Sequence, residues 1–429
     1  MKKILLLSVS LLCSFATMLN AQDYITINAQ FYSEALDTIK KVTIYLPGDY
    51  YQNPVQQYAT ITYLHGGYGN EGSGLPEAAT YFDLHASNTT IVSPPAIFVC
   101  PDGSCEPYAG SVWMNSELYG NYGDFVMQDV IHFVEENFRV IPEKDFRVIT
   151  GLSMGGYGSA RLAVNYPDSF RACFPYIGFL AIQDTLINKW KQLCFNENGS
   201  YHFNPNAGTN TEMFFTMCGG LSPNMDIEPY HVEIPIDTLG NIVDSVMVKW
   251  RQHDSSSKVK DLPGEDELAW FLGCGTNDYM MTYPTYIQFM DSLDFYGIGY
   301  SSNYFPGDHV YHEQTWILGL NWIDSILNES FDGSPYLLSK EPVAGVSGSI
   351  SVFPNPAYHN VEVSCFLPNQ GKLKIDLIDI RGKTLLSKEE KHQFGMVNCQ
   401  LNLTEYLSGI YFIKIQTNQE TIIRKLIKL

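Results

Sequence analysis

Ser153 stands in Gly151-Leu152-Ser153-Met154-Gly155, a G-x-S-x-G pattern. A hydroxyl is a poor nucleophile at neutral pH unless a base takes its proton and a third group holds that base. The pattern suits a serine on a sharp strand-to-helix turn, where glycines two places to either side let the turn pack closely while the hydroxyl projects. The letters alone are weak, since a tight glycine-rich turn without chemistry reads the same way. The surroundings strengthen them. An apolar run at 146–150 precedes the serine, and a helical pattern over 152–166, stopped before Pro167, follows it. Gly156 and Gly158 are expected to keep that helix close to the sheet.

A base and an acid have to come from elsewhere. Where the serine sits on such a turn, the chain order is serine, carboxylate, histidine. The run 271–278 is an apolar strand entering a polar loop, which places Asp278 at the carboxyl edge of a sheet. Pro306-Gly307-Asp308-His309 follows a strand expected at 300–305 and offers His309 in a loop. The 31-residue spacing between Asp278 and His309 accommodates one helix and one strand. His312 is the rival base. Asp308 is expected to hydrogen-bond its own loop, and Asp294 to be solvated on a helix. His65, His85, His132, His202, His231 and His253 precede the acid or lie in helices and the 180–265 stretch, and read as structural or surface residues. A tetrahedral intermediate also needs amide donors. Met154 supplies one by position. Gly67, in the glycine-rich loop Leu64-His65-Gly66-Gly67-Tyr68-Gly69, supplies the other.

These groups need a scaffold. Segments 24–28 and 41–46 alternate as strands, and 59–64, 96–99, 172–177 and 268–273 are short apolar runs of the buried kind. Helical stripes fall at 124–138 and 286–295. Strands alternating with helices imply an α/β fold, a doubly wound and mostly parallel sheet. Residues 180–265 break the alternation, with an isolated helical piece near 242–253. They read as a lid or substrate wall, or else as a decorative loop. Residues 334–348 read as a linker. Beyond it, 350–353, 361–365, 373–379, 396–403 and 409–416 alternate between turns, as in a small antiparallel β-sandwich.

Composition narrows the possibilities. The net charge is −20, and the acid excess lies within residues 1–345, the remainder being slightly basic. Such a body lacks the basic face that nucleic acid or an anionic membrane requires. Lys2 and Lys3 precede an apolar run of about a dozen residues, and Ala21 offers a small residue for cleavage, so 1–21 reads as a signal peptide. An uncleaved anchor is the rival, although the run is short for a bilayer. The nine cysteines match no metal-site spacing, and no organic cofactor is called for.

Tyr63-Leu64-His65-Gly66-Gly67, Pro101-Asp102-Gly103, the run Gly151 to Gly158, and Asn165-Tyr166-Pro167-Asp168-Ser169-Phe170 resemble the putative-esterase family of α/β-hydrolases. That family holds esterase D-like enzymes, feruloyl and acetyl-xylan esterases, enterochelin esterases and mycolyltransferases. The resemblance covers roughly residues 25–330. It implies Ser153 as nucleophile, Asp278 as acid, His309 as base, and Gly67 and Met154 as oxyanion donors. Members that follow the histidine with an aromatic pair and a tryptophan differ here, where Trp316 stands seven residues on. Ser351-Val352-Phe353-Pro354-Asn355-Pro356-Ala357 and the closing Lys425-Leu426-Ile427-Lys428-Leu429 resemble the C-terminal sorting domain read by the type IX secretion system. This implies export through the periplasm, with that machinery as partner; a carbohydrate-binding sandwich is the rival. The expectation is a secreted carboxylic-ester hydrolase working through an acyl-enzyme, with a feruloyl or acetyl ester of a polysaccharide as substrate. An acyltransferase and a non-catalytic surface protein are the alternatives.

Overall fold

The computed structural model describes residues 24–332 and 350–428, apart from 54, 265–266, 354–356, 368–370, 393–394 and 418–420. The expected signal peptide at 1–21 and linker at 334–348 lie outside the described residues.

The short apolar runs become the middle of one large sheet. Its strands are β1 (Tyr24–Ser33), β2 (Thr38–Pro47), β3 (Thr60–Leu64), β4 (Ile97–Pro101), β5 (Arg147–Leu152), β6 (Ala172–Tyr176), β7 (Ala269–Gly275) and β8 (Ser301–Phe305). Every residue of β3, β4, β6 and β7 is buried. Strands covered on both faces have no reason to alternate, which is why β4, β6 and β7 read as near-continuous apolar runs. The spatial order is β1-β2-β4-β3-β5-β6-β7-β8. β1, β2 and β4 pair antiparallel, and from β4 across to β8 every pairing is parallel. The chain leaves β3 for β4 on one side and later lays β5 on the other. The loops after β3 and β5 therefore diverge and open a crevice at the carboxyl edge, the usual place for a site in such a sheet.

Helices cover the sheet: α1 (Leu75–Ser87), a continuous helical run α2 over 122–137, α3 (Met154–Asn165), then α4, α5 and α6 described next, α7 (Thr282–Tyr296) and α8 (Glu313–Phe331). The run α2 contains a π segment at Phe125–Val130. Sequence periodicity gave no expectation for α1 or α8. Yet α8 buries Trp316, Leu320, Ile323 and Leu327, and its Asp324 takes hydrogen bonds from Tyr81 and His85 of α1.

The 180–265 region corrects the sequence reading. It holds three helices rather than one: α4 (Asp184–Asn198), α5 (Thr209–Leu221) and α6 (Asp244–Arg251). They bury Leu186, Ile187, Trp190, Phe214, Phe215, Met247 and Trp250, with Trp190 stacked on Phe214. The Asn, Gly and Pro that suggested a loop serve as helix ends. Gly199 closes α4 in the left-handed region, and Asn204 and Pro205 start the turn that leads into α5. This region shares the main core, so it is no decorative loop.

The C-terminal segment forms an antiparallel pair of sheets. Its strands are β9 (Ile350–Phe353), β10 (Asn360–Leu367), β11 (Gly371–Asp379), β12 (Thr384–His392), β13 (Gly395–Asn402), β14 (Gly409–Gln416) and β15 (Thr421–Lys428). The orders are β9-β10-β13 and β12-β11-β14-β15. Val361, Val363, Ile375, Leu377, Leu401, Ile413 and Leu426 fill a separate core. Two strands, β12 and β15, exceed the sequence expectation. β12 is an edge strand of mainly charged and polar residues, so it carries no apolar alternation.

Candidate active site

Ser153 sits between β5 and α3 with φ 55° and ψ −112°. A non-glycine residue there is strained by about 1–3 kcal/mol and needs firm neighbours. Its N–H donates to the Tyr176 carbonyl at 2.9 Å, and its carbonyl accepts from the Tyr157 N–H at 3.0 Å. The flanking glycines are sterically required. A Cβ on Gly155 would lie 1.8 Å from the Leu64 oxygen, and one on Gly151 would lie 2.4 Å from the Gly155 oxygen. Gly156 approaches the Tyr176 oxygen of β6 in the same way, at 2.4 Å. Gly158 departs from expectation: it makes room for the Trp113 side chain, not for the sheet.

The other two residues arrive from the next strand ends. β7 finishes at Gly275, where a Cβ would lie 2.5 Å from the Gly307 oxygen. That close approach lets the loops after β7 and β8 zip together, with Asn277 N–H donating to the Gly307 carbonyl at 2.9 Å. Asp278 and His309 are thereby brought side by side. The Ser153 Oγ lies 2.9 Å from His309 Nε2, and His309 Nδ1 lies 2.7 Å from Asp278 Oδ2. The Asp278 carboxylate is fully enclosed. Its Oδ1 accepts from the Met280 N–H at 2.7 Å, and its Oδ2 also accepts from the Thr282 hydroxyl. A carboxylate so placed holds Nδ1 as a donor and leaves Nε2 as an acceptor facing the serine.

Asp308 secures the loop. Its Oδ1 accepts the N–H groups of Tyr279 and His309, both at 2.7 Å, and these bonds hold its carboxyl below the usual range. His312 is turned away from Ser153. It caps α8 through the Thr315 N–H and stacks on Phe305 with ring centroids 4.2 Å apart.

The glycine-rich loop after β3 runs along the other side of the serine. A Cβ on Gly66 would lie 3.5 Å from the Ser153 Cβ. Met154 is the first residue of α3, so its N–H has no acceptor within the helix. His65, read from sequence as structural or surface, is buried and braces this loop. Its Nε2 accepts from the Gly103 N–H at 2.9 Å, which makes Nδ1 the donor to the Gly66 carbonyl at 2.8 Å. Burial pushes its pKa down to about 4, so the ring is neutral. Trp113 Nε1 donates to the His65 carbonyl at 3.0 Å.

Sequence reasoning missed Thr282, Trp113 and the wall contributed by α5. Met213 lies over Gly67, whose Cβ would meet its Cε at 2.4 Å. Tyr68 donates to Glu212 Oε2 at 2.9 Å. Tyr279 stands edge-on to His309 at 6.2 Å. None of these follows a motif: the packing of α5 against the loop after β3 brings in Met213 and Glu212, and the segment after β7 brings in Tyr279 and Thr282. Buried Cys100, Cys173, Cys194, Cys218 and Cys274, and half-buried Cys105, form no disulfide among the described residues.

Residues 33–323 match the family model described as "Putative esterase", and residues 351–429 match the "Secretion system C-terminal sorting domain". An esterase of Mycobacterium tuberculosis is 27% identical over 154 residues, 35% of this chain and 31% of that protein. An acetyl esterase of Caldicellulosiruptor saccharolyticus is 27% identical over 169 residues, 37% of this chain and 55% of that protein. The chain therefore spans about a third to a half of the length of these relatives. Among solved structures, a ferulic acid esterase superimposes with a TM-score of 0.50 at 17% identity, covering 72% of this chain and 99% of that one. The chain thus belongs to the putative-esterase family, with the fold of an α/β-hydrolase and a secretion-system sorting domain at its C-terminal end.

Proposed function

We propose that Ser153, His309 and Asp278 carry out ester hydrolysis through an acyl-enzyme. The observation that carries this is the unbroken relay Ser153 Oγ to His309 Nε2 at 2.9 Å and His309 Nδ1 to Asp278 Oδ2 at 2.7 Å. His309 takes the serine proton as Oγ bonds to the ester carbonyl carbon. The carbonyl oxygen, now negative, is held by the amides of Gly67 and Met154. The C–O bond to the alcohol then breaks, and His309 returns its proton to the departing oxygen. Water repeats the sequence: His309 deprotonates it, the hydroxide adds to the acyl carbon, and Ser153 leaves with the proton as the acid is released.

A feruloyl or acetyl group esterified to a polysaccharide is the proposed substrate. Two half-exposed rings, Tyr279 edge-on to His309 and Tyr68 next to Gly67 in the loop after β3, would offer a flat face to a planar acyl group or a sugar. An acetyl esterase stands among the relatives in sequence, and export brings the enzyme to extracellular polymers. The proposed division of the chain is 22–333 for the esterase domain, 334–348 for a linker and 349–429 for the sorting domain.

The test is turnover of p-nitrophenyl acetate, methyl ferulate and acetylated xylan by wild type and Ser153→Ala, with product analysis in the presence of an added alcohol. Wild-type turnover lost in the variant supports the reading. A wild type as inert as the variant on all three refutes it, and a product dominated by the new ester assigns acyl transfer instead.

A further inference from the structure

The loop beside the proposed oxyanion site carries a tyrosine in a backbone region that favours glycine. Tyr68 has φ 63°, yet its ring stays 54% exposed. A side chain held at positive φ and left facing solvent is stabilised by something other than core burial. Two contacts hold it. Its N–H donates to the Ala109 carbonyl at 2.6 Å, and its phenol donates to Glu212 Oε2 at 2.9 Å. Glu212 belongs to the first turn of α5, and its neighbour Met213 lies directly over Gly67. The helical insertion thus sets a carboxylate one residue away from the wall of the site.

Glu197 of α4 reaches the start of α5. Its carboxylate accepts from the amides and side chains of Asn210 and Thr211. Asp308 stands on the His309 side, its Oδ1 taking the N–H groups of Tyr279 and His309. The Glu212 carboxylate receives only the neutral Tyr68 hydroxyl among the hydrogen bonds of the described residues. A neutral donor orients a carboxylate without removing its charge. Glu212 therefore keeps its negative charge beside the loop that carries Gly67.

We infer that the Tyr68–Glu212 pair is a charge filter that disfavours esters bearing an anion beside the scissile bond, so that the substrate class is neutral esters. This rests on Ser153 as the attacking group. At an effective dielectric of about 20, two unit charges about 10 Å apart change a rate constant roughly tenfold.

The test compares kcat/KM for two pairs of esters on the purified protein. Methyl ferulate is set against feruloyl glycolate, whose alcohol part carries a carboxylate, and ethyl hexanoate against monoethyl adipate, whose acyl part does. The quantity read is the anionic-to-neutral ratio within each pair. Glu212→Gln keeps a hydrogen-bond partner for Tyr68 and removes the charge. It is expected to raise at least one ratio about tenfold, and to weaken the rise of that ratio with added salt that wild type shows. Ratios unchanged within about twofold in both pairs overturn the filter. So does an equal loss on anionic and neutral esters, because the carboxylate then only holds the loop. Glu212→Ala gives the same ratios should the Gln variant not fold. A wild type inactive on all four esters would instead refute the Ser153 reading, a result distinct from either.

Discussion

Replacing Asp278 with Asn tests how this site holds its histidine. The Asp278 Oδ1 accepts the Met280 N–H at 2.7 Å, so the carbonyl oxygen of an Asn side chain has to take that position. The Asn NH2 is then forced into the place of Oδ2, where it meets His309 Nδ1 and the Thr282 hydroxyl. The hydroxyl can rotate to accept, but Nδ1 can accept only by giving up its hydrogen. The ring proton moves to Nε2, which faces Ser153 and can no longer take the serine proton. The fold is unchanged in this account, while the base is disabled. A wrong tautomer of this kind costs about 10⁴ in kcat in the serine-protease template, or roughly 5.5 kcal/mol of transition-state stabilisation. The assay is steady-state hydrolysis of p-nitrophenyl acetate beside a thermal melt. A variant within tenfold of wild-type kcat would refute the reasoning. So would a loss of activity matched by a collapse of Tm, since the effect would then be structural.

Other perturbations follow from the same geometry. His309→Gln is expected to abolish turnover, whereas His312→Ala removes a helix cap, costs about 1 kcal/mol and leaves kcat within a few-fold; kinetics and urea midpoints on the two variants separate the roles. Gly155→Ala drives a methyl against the Leu64 carbonyl, where the Cβ would lie 1.8 Å away; the loss is expected to exceed about 4 kcal/mol and to appear as insoluble protein or a sharply lowered Tm. Burial keeps His65 neutral down to about 4, below the ordinary 6.5 at which the unfolded chain takes up the proton. Because the unfolded state binds more protons between those values, stability is expected to fall as pH drops through that window, by about 2.5 kcal/mol from this residue at pH 4.5. Urea unfolding at pH 7 and pH 4.5 measures it, and His65→Gln should remove that part of the slope.

Much of this site was legible in residue order. A strand, a glycine-flanked serine and a helix constrain one another locally, because the turn that exposes Ser153 tolerates no Cβ at 151 or 155. Asp278 and His309 were legible for a related reason: each follows a strand, and parallel strands deliver their following loops to one edge. The roles of His65 and α5 were not legible. His65 lies outside the serine–acid–histidine order, and only the tertiary contact with Gly103 makes it a brace. The 180–265 region misled because helix-ending Asn, Gly and Pro look the same as loop residues until the apolar stripes between them find a partner, as Trp190 finds Phe214. β12 escaped notice because a charged edge strand is fixed by the backbone of its neighbour rather than by its own side chains.

The sequence by itself therefore determined the strand-to-helix turn at Ser153 and the order of the residues that follow it, since both depend on local backbone geometry and chain direction. Tertiary structure alone decided which histidine meets the serine, as Gly275 lets the two acidic and basic loops touch while Phe305 and Thr315 hold His312 aside. It also decided that α5 sets Met213 and Glu212 over the loop after β3. That contact joins residues nearly 150 positions apart, and no local pattern encodes a pairing fixed by the packing of a shared core.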